Sequence, residues 1–330
     1  MINIMIRMQM TVKTPSRLHL GFLDLSGDLG RLYGSIGVAL ENPSTIMEVE
    51  EYDNLFIENG NGKRILDFVK RFSEYYKTEV NVRIRIRREI PEHVGLGSGT
   101  QLALAISVSL ARIYNINVNT RELSRIMGRG TISGIGTACF ESGGFIIDSG
   151  HKYRDDYRLP PDVIFRYDFP EDWCFIIVIP KTEKGFSGER ERKALKGINP
   201  SKRISEEICR LVQIKLLPSL IERDIEEFGD ALTEIDKRTG IYFKNAQGGI
   251  YRESIGGELI KYVLQSGAYG AGQSSWGPAV YALTHKKNSS GLLKSMNEFL
   301  IENDKLGNVF ISHCNNKGAE IDIRDKNLIQ

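Results

Sequence analysis

Between Val80 and Ile90 apolar and charged residues alternate, with Val82, Ile84 and Ile86 on one side and Arg83, Arg85 and Arg87 on the other. That period of two is the mark of a half-exposed strand. A glycine loop, PEHVGLGSGTQ (91–101), follows it. Thr100 to Tyr114 (TQLALAISVSLARIY) then reads as a buried helix of about four turns, whose small residues allow close packing on a sheet. A further helix is expected over Thr120 to Met127, with Thr120 as N-cap and Gly128 just past its end. The segment GRGTISGIGTACFESGGFIID (128–148) is a second glycine-dense loop that ends in a short strand candidate, Gly144 to Asp148. Residues 150–172 turn polar and proline-bearing, which places a domain boundary near Arg166 and divides the chain into 1–166 and 167–330.

The second half opens on the strand WCFIIVIP (173–180) and a polar loop, KTEKGFSGERER (181–192). Helical patterns run from Ser201 to about Lys237, interrupted at Pro218, and from Ser254 to Gln265. A third glycine-rich loop, SGAYGAGQSSWGP (266–278), leads into the strand AVYAL (279–283). A helix (Gly291 to Asn303) and two strands (Asn308 to His313, Glu320 to Ile323) complete an alternating α+β pattern. The chain has no internal repeat and no low-complexity tract.

Composition narrows the function classes. With 41% hydrophobic and 26% charged residues over 330 positions, the chain is a folded globular protein, and disordered or fibrous classes drop out. Forty-four Lys and Arg against 42 Asp and Glu leave a net charge of +2, which speaks against a general nucleic-acid or membrane-surface binder. A local basic cluster could still hold a small anion. Cys139, Cys174, Cys209 and Cys314 match no metal or CxxC spacing, so reduced thiols and a cytoplasmic location are expected. The first residues lack a long apolar region and a cleavage site. The longest apolar stretch, Leu102 to Ala111, is about half of what a bilayer span needs, so no membrane anchor is expected.

What the first glycine loop holds is the functional question. A dinucleotide site needs GxGxxG inside a βαβ unit, whereas Gly95, Gly97 and Gly99 give only GxGxG and the helix is followed by another helix. The nucleotide P-loop needs a lysine that is absent here. A glycine turn entering a helix nonetheless gathers unpaired N–H groups and the positive end of the helix dipole, which suits phosphate. Ser98, Thr100 and Gln101 would add side-chain donors. The other use of such glycines is a tight turn with positive φ, and the loop alone does not decide between the two.

Read together, the three loops resemble the GHMP kinase superfamily. PEHVGLGSGTQLALA resembles its P-x-x-x-G-L-G-S-S-x-A phosphate loop, SGAYGAGQSSWGP its third, glycine-rich motif, and TPSRLHLGFLDL (14–25) its first. The resemblance implies a two-domain α+β fold, with an N-terminal domain like domain 2 of ribosomal protein S5 and a ferredoxin-like C-terminal domain. Two departures stand out. Gly136, in SGIG, occupies the place of the aspartate base of many of these kinases, and Gly99 that of a serine that helps hold Mg²⁺. Arg125 and Arg129 stand where a kinase would offer an acidic metal ligand. Such a chain is better suited to holding pyrophosphate as a leaving group than to passing on a γ-phosphate.

With these departures the sequence resembles, nearly end to end, the β-ribofuranosylaminobenzene 5′-phosphate synthases of methanopterin biosynthesis. That family condenses 5-phosphoribosyl 1-diphosphate (PRPP) with 4-aminobenzoate or 4-hydroxybenzoate, releasing pyrophosphate and CO₂ and forming a β-C-riboside. The resemblance implies Mg²⁺ as cofactor, small-molecule substrates and a homodimer. It implies that Gly95, Gly97, Ser98, Gly99, Thr100, Gln101, Arg129, Ser133 and Gly134 bind phosphate, and that Arg17, His19 and Asp24 are catalytic, with Asp24 a candidate for the metal. Lys184, Ser187, Arg190, Gly270, Gly272, Gln273 and Ser274 would bind substrate, and Trp276 could offer a stacking face. Two rival readings are an ATP-dependent small-molecule kinase and a non-catalytic sugar-phosphate sensor.

Overall fold

The computed structural model describes residues 4–153, 159–182, 200–252 and 254–329, with Ala194 and Ile198. The chain opens with β1 (Ile4–Asp24) and β2 (Arg31–Glu51), a long antiparallel pair, and continues with β3 (Phe56–Glu58), α1 (Gly62–Tyr76) and β4 (Val82–Arg88). Next come α2 (Ser98–Ile113), α3 (Thr120–Ile126), α4 (Ile135–Glu141), β5 (Phe145–Asp148), β6 (His151–Lys152) and β7 (Val163–Tyr167). The rest comprises β8 (Trp173–Pro180), α5 (Lys202–Leu211), a π-helical turn (Val212–Leu216), α6 (Leu217–Glu222), α7 (Ile225–Gln247) and α8 (Ser254–Gln265). It ends with β9 (Gly270–Gln273), β10 (Val280–His285), α9 (Ser289–Glu302), β11 (Gly307–Ser312) and β12 (Glu320–Ile329).

Two sheets organise these elements. The first runs β12-β1-β2-β4-β3, with β5 and β7 continuing from one end of β2, and the second runs β11-β8-β10-β9. The apolar side of β4 (Val82, Ile84, Ile86) buries against α1 and α2 through Phe68, Phe72, Leu104 and Ile106. The Arg83, Arg85 and Arg87 side pairs instead with Glu50, Glu58 and Glu48. Every residue of β8 is buried. Phe175 and Ile177 face a central core shared with Leu18, Val38, Phe145 and Phe228, while Ile176 and Val178 pack with α8 and α9 through Leu259, Val263 and Met296. A strand covered on both faces reads as an unbroken apolar run.

Several local expectations change. The N-cap of α3 is Asn119, whose side chain accepts the Glu122 amide at 2.8 Å. The helical run from Ser201 does not break at Pro218, because Pro218 sits in the first turn of α6, where an N–H is dispensable. The break falls at left-handed Arg223, and Asp224 caps α7. The second glycine loop contains the helix α4, and part of the third is the strand β9. Residues 320–329, assigned by sequence to the second half, cross back to pair with β1 of the first sheet. Among the described residues, no helix is long and apolar enough to cross a membrane.

Candidate active site

The three motifs meet at one place, and backbone hydrogen bonds join them. The Arg17 amide donates to the Leu96 carbonyl at 3.1 Å, the Ser275 amide to the His19 carbonyl at 3.2 Å and the Ala279 amide to the Val94 carbonyl at 3.1 Å. Ser274 Oγ accepts from the His19 amide at 3.1 Å and donates to the Gly95 carbonyl at 2.7 Å. Glycine at 95 is a packing requirement as well as a turn, since its φ is +89° and a Cβ there would lie 2.3 Å from the Ser274 carbonyl oxygen.

Gly97, at φ +80°, is the N-cap of α2 and offers no capping side chain. The Thr100 and Gln101 amides bond back to the Gly97 carbonyl, whereas those of Ser98 and Gly99 have no acceptor among the described residues. No acidic residue lies in the first turn of α2, so nothing on the helix itself offsets its positive end. The loop opens on a cleft of about 350 Å³ lined by Arg17, Arg64, His93, Gly95 to Thr100, Arg129, Ser275, Trp276 and Gly277.

Three guanidinium groups frame that cleft. Arg17 Nη1 donates to the Gly95 carbonyl at 2.5 Å, and its side chain runs under Gly97. Arg129 lies over the Phe68 ring at 5.2 Å. A Cβ on Gly99 would stand 3.0 Å from both Arg129 Nη1 and Arg64 Nη2, so the missing side chain at 99 makes room for the arginines. Arg64, on α1, is held by Glu92 at 2.6 Å. Burial opposes the charge on Glu92, but the hydrogen bond and charge of Arg64, with Asn61 and His93, hold its carboxyl below the usual range. Arg125, by contrast, lies away from the cleft against the Tyr75 ring and hydroxyl.

A side extension of about 150 Å³ runs from Thr100 along Gly128 to Ser133, past His19 and Phe22. His19 is buried among apolar groups, and this burial, with Arg17 beside it, lowers its pKa to about 3. The imidazole is therefore neutral across the physiological range, and its buried Nε2 has no hydrogen-bond partner among the described residues. A second, narrower recess lies on the other side of His19, between Phe22, Phe243 and Trp276. The Phe243 and Trp276 ring centroids are 4.4 Å apart.

The structure thus gathers Arg17, His19, Gly95, Gly97, Ser98, Gly99, Thr100, Arg129 and Ser133 around one space, with Gln273 lining the recess. Others of the expected set are occupied elsewhere. Gln101 is buried and donates to the Gly136 carbonyl at 2.8 Å, fastening α4 to α2. The Gly134 amide donates to Asp148 Oδ2 at 2.7 Å. Buried Asp148 also accepts from the Ser35 and Gly150 amides at 2.9 Å, so this carboxylate, missed in the sequence, shapes the second glycine loop. Ser274 is wholly buried and pins the loops together. Gly270 and Gly272 admit α7: a Cβ would meet the Gly229 carbonyl at 2.3 Å or Asp236 Cγ at 2.4 Å. Asp24 does not line the cleft, because its Oδ1 accepts from the Ser26 amide and hydroxyl and from Ser205 Oγ at 2.6, 2.7 and 2.5 Å. Lys184, Ser187 and Arg190 lie outside the described residues.

The donor set does not fit a protein-held Mg²⁺. Among the described residues, the cleft and its extension carry no carboxylate, and no cluster of His, Cys, Asp and Glu could hold a metal. Arg64 and His93 were missed by sequence reasoning, since the polar face of α1 and a histidine at φ +60° carry no motif.

The geometry agrees with what known proteins share with this chain. Residues 63–144 match the model of the GHMP kinases N terminal domain and residues 216–302 that of the GHMP kinases C terminal domain. The β-ribofuranosylphenol 5′-phosphate synthase of Methanothermobacter thermautotrophicus is 37% identical over 299 residues, covering 84% of this chain and 90% of that protein. The synthase of the same name from Archaeoglobus fulgidus is 35% identical over 324 residues, covering 94% and 99%. The mevalonate kinase of Methanococcus jannaschii shares the fold, with a TM-score of 0.68 at 17% identity over 93% of this chain and 98% of its own. A GHMP frame, an arginine-walled phosphate loop and end-to-end likeness to these archaeal enzymes converge: the chain belongs to the β-ribofuranosylphenol 5′-phosphate synthase family of the GHMP kinase superfamily.

Proposed function

We propose that the chain transfers the phosphoribosyl group of PRPP to 4-hydroxybenzoate with loss of pyrophosphate and CO₂, giving a β-C-riboside 5′-phosphate in tetrahydromethanopterin biosynthesis. The observation that carries this reading is the cleft wall: Arg17, Arg64, Arg129 and the N-terminus of α2 surround Gly95 to Gly99, with no lining carboxylate among the described residues. Such a wall stabilises a departing diphosphate through charge and hydrogen bonds aimed where negative charge develops. A kinase needs in addition a metal held in place and an acceptor hydroxyl positioned for attack. The relatives carry the name of a ribosylphenol, the product of a hydroxylated acceptor, which favours 4-hydroxybenzoate over 4-aminobenzoate.

In this reading the diphosphate lies on the Gly97 to Thr100 turn, the C1–O bond opens toward the arginines, and the ring carbon bearing the carboxylate attacks C1 from the β face. Loss of CO₂ then restores aromaticity. Neutral His19 serves as a hydrogen-bonding group and not as a proton donor from an imidazolium. No step is assigned to Mg²⁺. Lys184, Ser187 and Arg190 remain candidates for the 5′-phosphate or the acceptor carboxylate on the strength of the resemblance. A homodimer belongs to the same proposal, and light scattering decides it.

Thermal unfolding with ligands separates the rivals. PRPP should raise the melting temperature in proportion to ln(1 + [L]/Kd) and ATP should not. Stabilisation by ATP together with phosphate transfer to a small hydroxyl compound would establish the kinase instead. Strong stabilisation by PRPP without any turnover would support a sensor.

A further inference from the structure

The recess behind His19 is a partly polar space that the phosphate chemistry leaves unused. Its walls are Phe22, Phe243, Trp276 and Tyr251, and no Lys or Arg lines it. Two buried polar atoms of residues that line it, His19 Nε2 and Thr239 Oγ1, lack a hydrogen-bond partner among the described residues, and the Asp236 carboxylate beside them faces the hydroxyls of Tyr251 and Tyr281. Asp236, on α7, is only 5% exposed, and its Oδ1 accepts the Gln273 amide at 3.0 Å. Buried polar atoms without a partner are costly unless something supplies one.

Position and charge together orient an acceptor. His19, Phe22, Ser275 and Trp276 line the recess and also the phosphate cleft or its extension, so the recess borders the space in which the transfer reading puts the ribose. An acceptor's carboxylate is drawn toward the arginines at that border. Its para substituent then points inward. At about 20 Å³ the recess has room for a water or two, so a ring enters only as the aromatic walls part.

Building on the transfer reading above, we infer that this recess takes the aromatic acceptor and that Asp236 accepts the proton of its para-hydroxyl as the C–C bond forms. The ring carbon bearing the carboxylate bonds to C1 while the C1–O bond to diphosphate breaks, its electron pair leaving with the diphosphate. The phenolic O–H pair becomes the C=O of a dienone, and the proton goes to Asp236. The C–CO₂⁻ bond then breaks, its pair restores the aromatic ring as a phenolate, and Asp236 returns the proton. No oxidant, reductant or further reactant is needed. Burial raises the Asp236 pKa well above the usual carboxylate range against the Gln273 amide and the Tyr251 and Tyr281 hydroxyls, which makes the ionised form a stronger base.

The test compares Asp236→Asn with the wild type across 4-hydroxybenzoates whose ring fluorines make the hydroxyl ionise progressively more easily. Thermal stabilisation by PRPP, equal in both proteins, establishes that the variant is folded and its cleft intact. With 4-hydroxybenzoate, kcat of the variant should fall about 100-fold or more, and the deficit should narrow to about tenfold or less for the most acidic acceptor. An equal deficit for every acceptor, or none, overturns the role of Asp236. Should Asp236→Asn not fold, Phe243→Leu should raise KM for 4-hydroxybenzoate about three- to tenfold and leave KM for PRPP unchanged. An unchanged acceptor KM overturns the recess. If the wild type itself releases no CO₂, the transfer reading fails first, and this inference with it.

Discussion

Gly97→Val tests the phosphate cradle where its geometry is most restrictive. Gly97 has φ +80°, and a Cβ there would stand 2.9 Å from Arg17 Cγ and 3.3 Å from its Nε. A side chain in the left-handed region costs about 1–2 kcal/mol, at the upper end for a β-branched residue. Displacing Arg17 also endangers its charge-assisted hydrogen bond to the Gly95 carbonyl, 2.5 Å long, a further ~1.5–3 kcal/mol. Without ligand the loop can relax and shed most of this strain, so the melting temperature of the free protein should move little. PRPP binding must restore the tight turn, and the sum of about 2.5–5 kcal/mol should appear as roughly two to four orders of magnitude in Kd. Isothermal calorimetry reads this directly, with thermal unfolding at several PRPP concentrations as a second measure. A variant that binds PRPP within about twofold of wild type would refute the argument.

Other substitutions separate binding groups from packing groups. Arg129→Ala should weaken PRPP by about 10- to 100-fold in a salt-dependent way, measured as KM at two ionic strengths. Asp24→Asn, whose carboxylate is tied to Ser26 and Ser205, should keep kcat within about threefold of wild type while stability falls by ~1–2 kcal/mol in urea unfolding. Gly270→Ala places a Cβ 2.3 Å from the Gly229 carbonyl, so it should cost ~1–3 kcal/mol of stability with KM for PRPP unchanged. His19 binds its proton only near pH 3 in the folded state and near 6.5 when unfolded. The unfolded chain therefore takes up more protons between those values, and stability is lost as pH falls through that window. His19→Gln should flatten that part of the stability profile, and wild-type kcat/KM should show no limb assignable to His19 between about pH 5 and 9.

The sequence spoke clearly where a single constraint governed a stretch. α2 and its glycine loop were legible because a buried helix beside a sheet must be apolar all round and its entry must be small. β4 and β8 were legible for the same reason, through alternation and through an unbroken apolar run. β1 and β2 were not, because register shifts at Thr14/Ser16 and His19/Gly21 break the period of two along one of the longest hairpins in the chain. The glycines of GAYGAGQ suggest a loop, yet Gly270 and Gly272 stand in a strand, where their missing side chains admit α7. Motif reading found Arg17, His19 and Arg129 because they sit within the glycine segments. Arg64, Asp148 and Asp236 escaped it, since each becomes functional or structural only through burial and contacts with residues 28 to 113 positions away.

The central claim, that this arginine-walled cleft opens a C1–diphosphate bond for a decarboxylating ring attack, is most directly tested by product stoichiometry. The protein is incubated with PRPP and carboxyl-labelled 4-hydroxybenzoate, and labelled CO₂ and pyrophosphate are counted together. Equal amounts of both are expected, dependent on PRPP and strongly reduced in Gly97→Val at PRPP concentrations that saturate the wild type. Pyrophosphate released without CO₂, or phosphate passed from ATP to an acceptor in place of either, would contradict it.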